Sequence, residues 1–368
     1  MIEADIAIVG AGPAGTATAV HLGQLGVRNV LLVDRLDFPR DKTCGSAVSP
    51  KGLEVLKALG VWEQVEPRSY WIRGLRLVTP GGRDIVLSGG DRAAAIVCCR
   101  RTLDHLLLER ALSLGVRFMP HFYTQELVEE AGRVVGFRAL DGREVRARWT
   151  VIADGAHSRF TIDPRPKQMI QAIMGWWENV AFRPHHVEMI FDKMLRPYYG
   201  WLFPESETRV NIGICYEDPD HTRNARTLFA EFLEKHYAAR LNGANEVSDR
   251  KGHPISYSYR VERLWSPGRV ITGEAGRMTH PATAEGIYQG MRAGMLAAEA
   301  LRDLVRDGLD ETCALAGYEA RCRTAFERSF RAAKWWRAAV STPVLDWAVA
   351  LAQTRTARSA IGKLMAEM

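Results

Sequence analysis

The chain has 368 residues, 47% hydrophobic and 25% charged, with a formal net charge of +6. That composition excludes a disordered, fibrous or membrane-spanning protein and leaves room for two globular domains. Six cysteines (Cys44, Cys98, Cys99, Cys215, Cys313, Cys322) show no Cys-x-x-Cys spacing, which argues against a zinc site or disulfide framework and for a reducing cytoplasm.

The first strand follows Met1 almost at once, so no signal peptide is expected in front of it. The apolar run Ile6-Ala7-Ile8-Val9 ends at Gly10 and opens Gly10-Ala11-Gly12-Pro13-Ala14-Gly15-Thr16. The glycines fit Gly-x-Gly-x-x-Gly. Gly10 permits the tight turn, Gly12 lets a pyrophosphate approach the backbone, and Gly15 lets the next helix pack close to the sheet. The helix start offers free N–H groups and a positive dipole end to phosphates. A second apolar run, Val30 to Val33, ends in Asp34, 19 residues after Gly15, where a carboxylate accepts from ribose hydroxyls. Strand, glycines, helix, strand and acid together predict a dinucleotide-binding unit. The motif alone does not separate FAD from NAD.

Residues 38–50 read as a loop carrying Lys42-Thr43-Cys44-Gly45-Ser46-Ala47. A helix is expected over about 51–59, and strands at 75–78 and 85–87 around a Pro80-Gly81-Gly82 turn. Cys98-Cys99-Arg100 opens an amphipathic helix with Leu103, Leu106, Leu107 and Leu114 on one side. Strands follow near 116–119, 123–129 and 133–139. A further run leads into Val151-Ile152-Ala153-Asp154-Gly155. Residues 165–265 alternate aromatic and β-branched residues, which predicts an antiparallel sheet with one helix near 222–239. Within it, Tyr198 to Pro204 and Val210 to Ile214 predict a hairpin. Val270 to Gly276 returns to the βα style and leads through His280, Pro281, Glu285 and Gly286 to a helix at Ile287. Its Gly290, Ala293, Gly294, Ala297 and Ala298 imply close packing on the first unit. The last segment is helical. Tyr318, Cys322, Phe326, Phe330, Ala333, Trp336 and Val340 form one stripe, with Arg321, Arg328, Arg331 and Lys334 opposite. Thr342-Pro343 begins another helix, with Trp347, Leu351 and Ile361 continuing the apolar pattern. From Thr312 onward there are nine Lys or Arg and four Asp or Glu, a net +5. Its plain reading is a solvated helix face; contact with an anionic membrane surface or an anionic substrate is the alternative. No nucleic-acid module is recognisable.

Four segments in this order resemble the p-hydroxybenzoate-hydroxylase-like FAD-dependent oxidoreductases: the N-terminal glycine motif, Arg-x-x-Leu-Asp at Arg100 to Asp104, Asp154-Gly155, and Gly273-Glu274 followed by Pro281 and Glu285-Gly286-Ile287. Two more are similar to the geranylgeranyl reductase family within them: Cys44-Gly45, and Tyr199-Gly200-Trp201-Leu202-Phe203-Pro204 against Tyr-x-Trp-x-Phe-Pro.

The resemblance implies an α/β fold with a Rossmann-like, glutathione-reductase-like FAD-binding domain over 1–70, 98–164 and 266–305. An antiparallel substrate domain over 71–97 and 165–265 interrupts it, and a helical segment spans 306–368. Implied FAD contacts are Gly10, Gly12, Pro13, Ala14, Gly15 and the Thr16 backbone at the pyrophosphate, Asp34 with Arg35 at the ribose, and Cys44, Gly45 and Ala47 beside the flavin. Arg100 would meet the phosphate–ribitol region and Thr124 the adenine. Asp154-Gly155 and Gly273-Glu274 would also hold the cofactor, the acid of the latter pair on the ribitol. Gly286-Ile287 would meet the ring. Glu274 stands where the family usually has Asp, and Ser46-Ala47 where it commonly has an acid and Gly.

Cys44 has two readings, a packing residue or a proton donor or acceptor beside the flavin, with Lys42 near enough to favour its thiolate. Tyr199 and Trp201, with Phe203, are expected to wall the substrate face, and Tyr199 to hold a proton-delivering water. His185, His186 and His280 are expected to be structural; the alternative is a proton shuttle, for which His280, just before Pro281, is the better placed. An apolar small-molecule or lipid substrate and NAD(P)H as electron donor complete the expectation of a reductase that saturates C=C bonds. Alternatives are a monooxygenase (hydroxylase or epoxidase), a halogenase and a flavin-free prenyl carrier. Trp-x-Trp-x-Ile-Pro is absent and no lysine lies between Lys57 and Lys167, which disfavours the halogenase. Arg100, Asp154 and Glu274 disfavour the carrier. The expected location is cytoplasmic, with peripheral membrane contact as the alternative. No metal site is expected.

Overall fold

A computed structural model gives the structure of residues 1–88, 95–165 and 167–351. Its largest sheet has a parallel centre. Strand Ile2–Val9 lies between Glu144–Ile152 and Val30–Val33, with Arg269–Ile271 beyond the first and Arg117–Met119 beyond the second. All four residues of Val30–Val33 are buried, as a strand covered on both faces requires. The first helix, Pro13–Gln24, covers one face and is packed by helix Ile287–Arg306. Small residues make that approach feasible. A Cβ on Gly290 would lie 3.5 Å from Ala14 Cβ, and one on Gly294 only 2.4 Å from Ala14 O. Two segments far apart in sequence thus form one cofactor half.

The second sheet runs in the order Asn245–Tyr257, Gln168–Glu178, Arg209–Tyr216, Gly200–Pro204, His186–Ile190, Gly74–Val78, Asp84–Ser88. The expected antiparallel sheet is in fact mixed: His186–Ile190 pairs parallel with Gly74–Val78, because the latter arrives from an earlier segment by a long crossover. Helix Ala225–Leu241 lies on its outer face through Phe229 and Phe232. A small sheet of Ala47–Val48, Ala95–Val97 and Tyr70–Ile72 sits beside the two.

The long helix Glu311–Val340 buries the expected stripe from Tyr318 to Val340, with Trp336 partly buried. The next helix, Val344–Leu351, corrects the expected register. Leu345 and Val349 are buried, whereas Trp347 and Leu351 are 64% and 72% exposed. Ile361 lies outside the described residues. No described helix is long and apolar enough to cross a membrane.

Candidate active site

The two sheets meet over a cavity of about 560 Å³. At one end stands the first strand–helix turn. Gly10 has φ +102°, and a Cβ there would lie 2.5 Å from Ala153 O, so only glycine fits. Gly15 has Gly10 O at 1.8 Å from its would-be Cβ. Gly12 is the opposite case: its would-be Cβ meets only Arg40 Nη2, at 3.9 Å. The helix start leaves the N–H groups of Ala14 and Gly15 without helical acceptors beside that opening. Thr16 departs from expectation. It is fully buried and its N–H donates to Gly12 O at 2.9 Å, so it closes the helix and does not face a phosphate.

Asp34 is fixed by two backbone donors, Ala11 N at 2.8 Å and Leu36 N at 2.9 Å. Arg40 Nη2 lies 4.0 Å from Asp34 and 3.4 Å from Asp104. Asp104, wholly buried, grips Arg100 with two bonds of 2.7 Å. The i, i+4 spacing of Arg100 and Asp104 on one helix makes that fork local. Arg100 also faces the Cys44 thiol, whose Sγ accepts from Ser46 N at 3.3 Å.

A second charged group lies further in. Lys42 Nζ is 2.7 Å from His253 Nε2. Burial, reinforced by the Arg100 charge, brings the Lys42 ammonium down to about 8. Burial and the Lys42 charge push His253 down to about 3, so its ring is the neutral acceptor. Glu274 accepts from Ser256 N at 3.0 Å, reaching across to the substrate sheet. Burial raises its carboxyl, and Lys42 and Arg100 oppose that rise.

The other end is apolar. Tyr199, Trp201 and Phe203 line it with Met174, Met189 and Ile255. Trp201 Nε1 donates to Asn211 Oδ1 at 2.7 Å, and Asn211 Nδ2 donates to Gly175 O at 3.1 Å. Gly213 makes room for the indole, since a Cβ there would sit 2.2 Å from it. Tyr199 OH donates to Thr283 O at 2.6 Å, and burial raises its pKa well above the ordinary value. That bond takes the hydroxyl's only proton and leaves its oxygen as an acceptor. Gly45 touches this wall: a Cβ there would lie 3.0 Å from Phe203 and 3.3 Å from Trp201 Nε1.

The cavity lining therefore brings together Gly10, Gly12, Pro13, Ala14, Asp34, Arg35, Cys44, Gly45, Ala47, Arg100, Thr124, Asp154, Gly155, Glu274, Gly286 and Ile287 with Tyr199 and Trp201. Gly15, Thr16 and Gly273 shape it from behind. Gly273 has φ +62° and its would-be Cβ lies 2.6 Å from Ala14 Cβ. Arg40, Cys215 and His253 are lining residues that sequence reasoning did not assign, and Lys42, expected beside Cys44, lines the cavity too. His253 and Cys215 sit in strands with no motif around them. His185 and His186 bond the carbonyls of Trp71 and Pro184, and His280 Nδ1 accepts from Ala282 N and Thr283 N. Cys98 and Cys99 are free thiols. Among the described residues no cluster suits a metal ion.

The residues fit FAD. Gly12 and Gly155 leave open space, and Arg40 Nε and Thr124 Oγ1 are buried without a protein partner beside it. A two-sheet frame with this turn and cavity defines an FAD-dependent oxidoreductase of the p-hydroxybenzoate-hydroxylase-like class. The chain belongs to the FAD binding domain family, whose model matches residues 3–333. It is 28% identical over 339 residues to digeranylgeranylglycerophospholipid reductase 1 of Methanothermobacter thermautotrophicus, covering 87% of this chain and 82% of that one. It is 29% identical over 331 residues to menaquinone reductase of Mycobacterium tuberculosis, covering 83% and 78%. Its fold is shared with a geranylgeranyl bacteriochlorophyll reductase-like protein from Thermoplasma acidophilum (TM-score 0.87, 20% identity, 98% and 96% covered). A flavin-dependent brominase has the same fold (TM-score 0.82, 18% identity, 99% and 93% covered).

Proposed function

We propose that this chain reduces C=C bonds of an isoprenoid lipid at its bound FAD. The observation that carries the reading is the apolar end of the cavity. Its aromatic hydroxyl and indole N–H are spent on Thr283 and Asn211, so the wall offers carbon surface to a substrate. When bound and reduced by NAD(P)H or a reductase partner, FAD supplies the hydride. The chain supplies the rest. Tyr199, Trp201 and Phe203 orient a prenyl chain and exclude water. Cys44, on the loop that abuts this wall, delivers the proton to the second carbon. Arg100 and Lys42 beside it stabilise the thiolate left behind.

The substrate would come from a membrane. Arg328, Arg331, Trp335 and Ala338 form one exposed stripe of the long helix, and Trp335 is 81% exposed. Exposed Trp347 and Val344 follow it. Cations with indoles on one face suit an anionic lipid surface. Co-sedimentation with vesicles containing phosphatidylglycerol should fall on Trp335→Ser with no change in melting temperature.

The deciding experiment incubates the reduced protein anaerobically with digeranylgeranylglycerophospholipid and with menaquinone. Mass gains of two hydrogens per double bond are expected. No gain, together with an oxygenated product when O2 is admitted, would replace the reductase with a monooxygenase. Cys44→Ala should keep its flavin and lose about tenfold or more in turnover.

A further inference from the structure

Two adjacent tyrosines of the substrate sheet hold the loop that enters the Ile287–Arg306 helix. Tyr198, fully buried, donates to Pro281 O at 2.8 Å, and Tyr199 donates to Thr283 O. Behind Tyr198 lies Arg337, in the last turns of the long helix. Its guanidinium carbon is 5.0 Å from the Tyr198 ring centroid. Nη1 donates to Tyr257 OH at 2.6 Å and to the Tyr259 hydroxyl, and Nη2 donates to Glu217 Oε2 at 2.6 Å. Glu217 Oε1 accepts from Tyr257 OH at 2.6 Å and lies 3.5 Å from Tyr198 OH. A chain of polar contacts thus runs from the long helix through Glu217 and Tyr198 to a loop carbonyl. Nothing in the proposed reaction uses it.

Such a network is satisfied only when helix, sheet and loop hold one arrangement. The loop carbonyls and the start of the following helix are fixed dipoles. A small displacement of dipoles beside a redox ring changes its electronics. We propose that Arg337, acting through Glu217 and Tyr198, is a positioning residue of the flavin site, holding the Pro281–Thr283 carbonyls and the Gly286 helix start in register with the ring. This rests on the flavin ring lying at that helix start.

The test is a double-mutant cycle on FAD-loaded protein, with Tyr198→Phe, Arg337→Met and the pair. The readouts are the visible flavin spectrum, the midpoint potential and the melting temperature. Both single variants should shift spectrum and potential in the same direction. The pair should shift them no further than the larger single, because both cut one chain of contacts. Unchanged spectra with only a lowered melting temperature would overturn the proposal, as would shifts that simply add. Should Arg337→Met fail to fold, Glu217→Gln takes its place in the cycle. Turnover on digeranylgeranylglycerophospholipid should fall about fivefold or more with KM within about twofold. An inactive parent protein would sink the substrate reading and leave the spectral result to decide this one.

Discussion

The two ends of the cavity are built on opposite plans. The cofactor end is charged, and its charges are crossed with one another: Asp34 and Asp104 flank Arg40, and Asp104 holds Arg100. The substrate end is carbon-faced, and its polar atoms bond inward to the protein. The first end is preorganised by ion pairs to hold a charged group whatever the substrate. The second owes its shape to strand packing, and it can be recut without touching the first.

Four substitutions probe that separation. Gly15→Val should do most damage, because the added atoms meet Gly10 O in backbone that cannot yield. We expect no flavin-bearing folded protein, read as the flavin absorbance per mole of purified chain. Asp104→Ala comes next. It leaves the buried Arg100 without its carboxylate and Arg40 with Asp34 alone, which costs about 3–5 kcal/mol in denaturant unfolding and weakens FAD retention. Trp201→Phe belongs to the other end. It leaves Asn211 Oδ1 unpaired, at about 1–3 kcal/mol, with FAD affinity unchanged and KM for a prenyl substrate raised. If flavin affinity fell as well, the two ends would not be separable.

The smallest effect is a pH dependence at the seam between the ends. The His253 ring titrates at about 3 in the fold against an ordinary 6.5. Between those values the unfolded chain binds more protons, so this ring removes stability as pH falls from 6.5 toward 3. Lys42, at about 8 against 10.5, removes stability as pH falls from 10.5 toward 8 by the same reasoning. In the flavin-free protein, His253→Gln should flatten the acid side of a melting-temperature profile and leave the alkaline side unchanged.

The plans also differ in how legible they were. The cofactor end is written in short-range spacing. Gly10, Gly12 and Gly15 sit in one turn, and Arg100 and Asp104 one helical turn apart, so the sequence carries their geometry locally. Even there Arg40 escaped notice, because a loop residue shows nothing of the two acids it will meet. At the substrate end only Tyr199, Trp201 and Phe203 were legible, through alternation along one strand. Met174, Cys215, Ile255 and His253 come from other strands, and only the register places them on the same cavity. The parallel pairing of His186–Ile190 with Gly74–Val78 was invisible for the same reason. Arg337 carries no signal of its internal role, since a basic residue on an amphipathic helix looks solvated until its partners are known.

The packing of the Ile287–Arg306 helix on the Pro13–Gln24 helix has a consequence for how the protein is born. The nucleotide-binding turn is synthesised long before the helix that covers it. Until then the first helix lacks that cover, and the Thr283–Gly286 loop that lines the cavity does not exist. Contacts this distant in sequence slow folding. FAD capture therefore waits for the Ile287–Arg306 helix, and a nascent chain stalled before residue 306 would emerge colourless and in need of a chaperone.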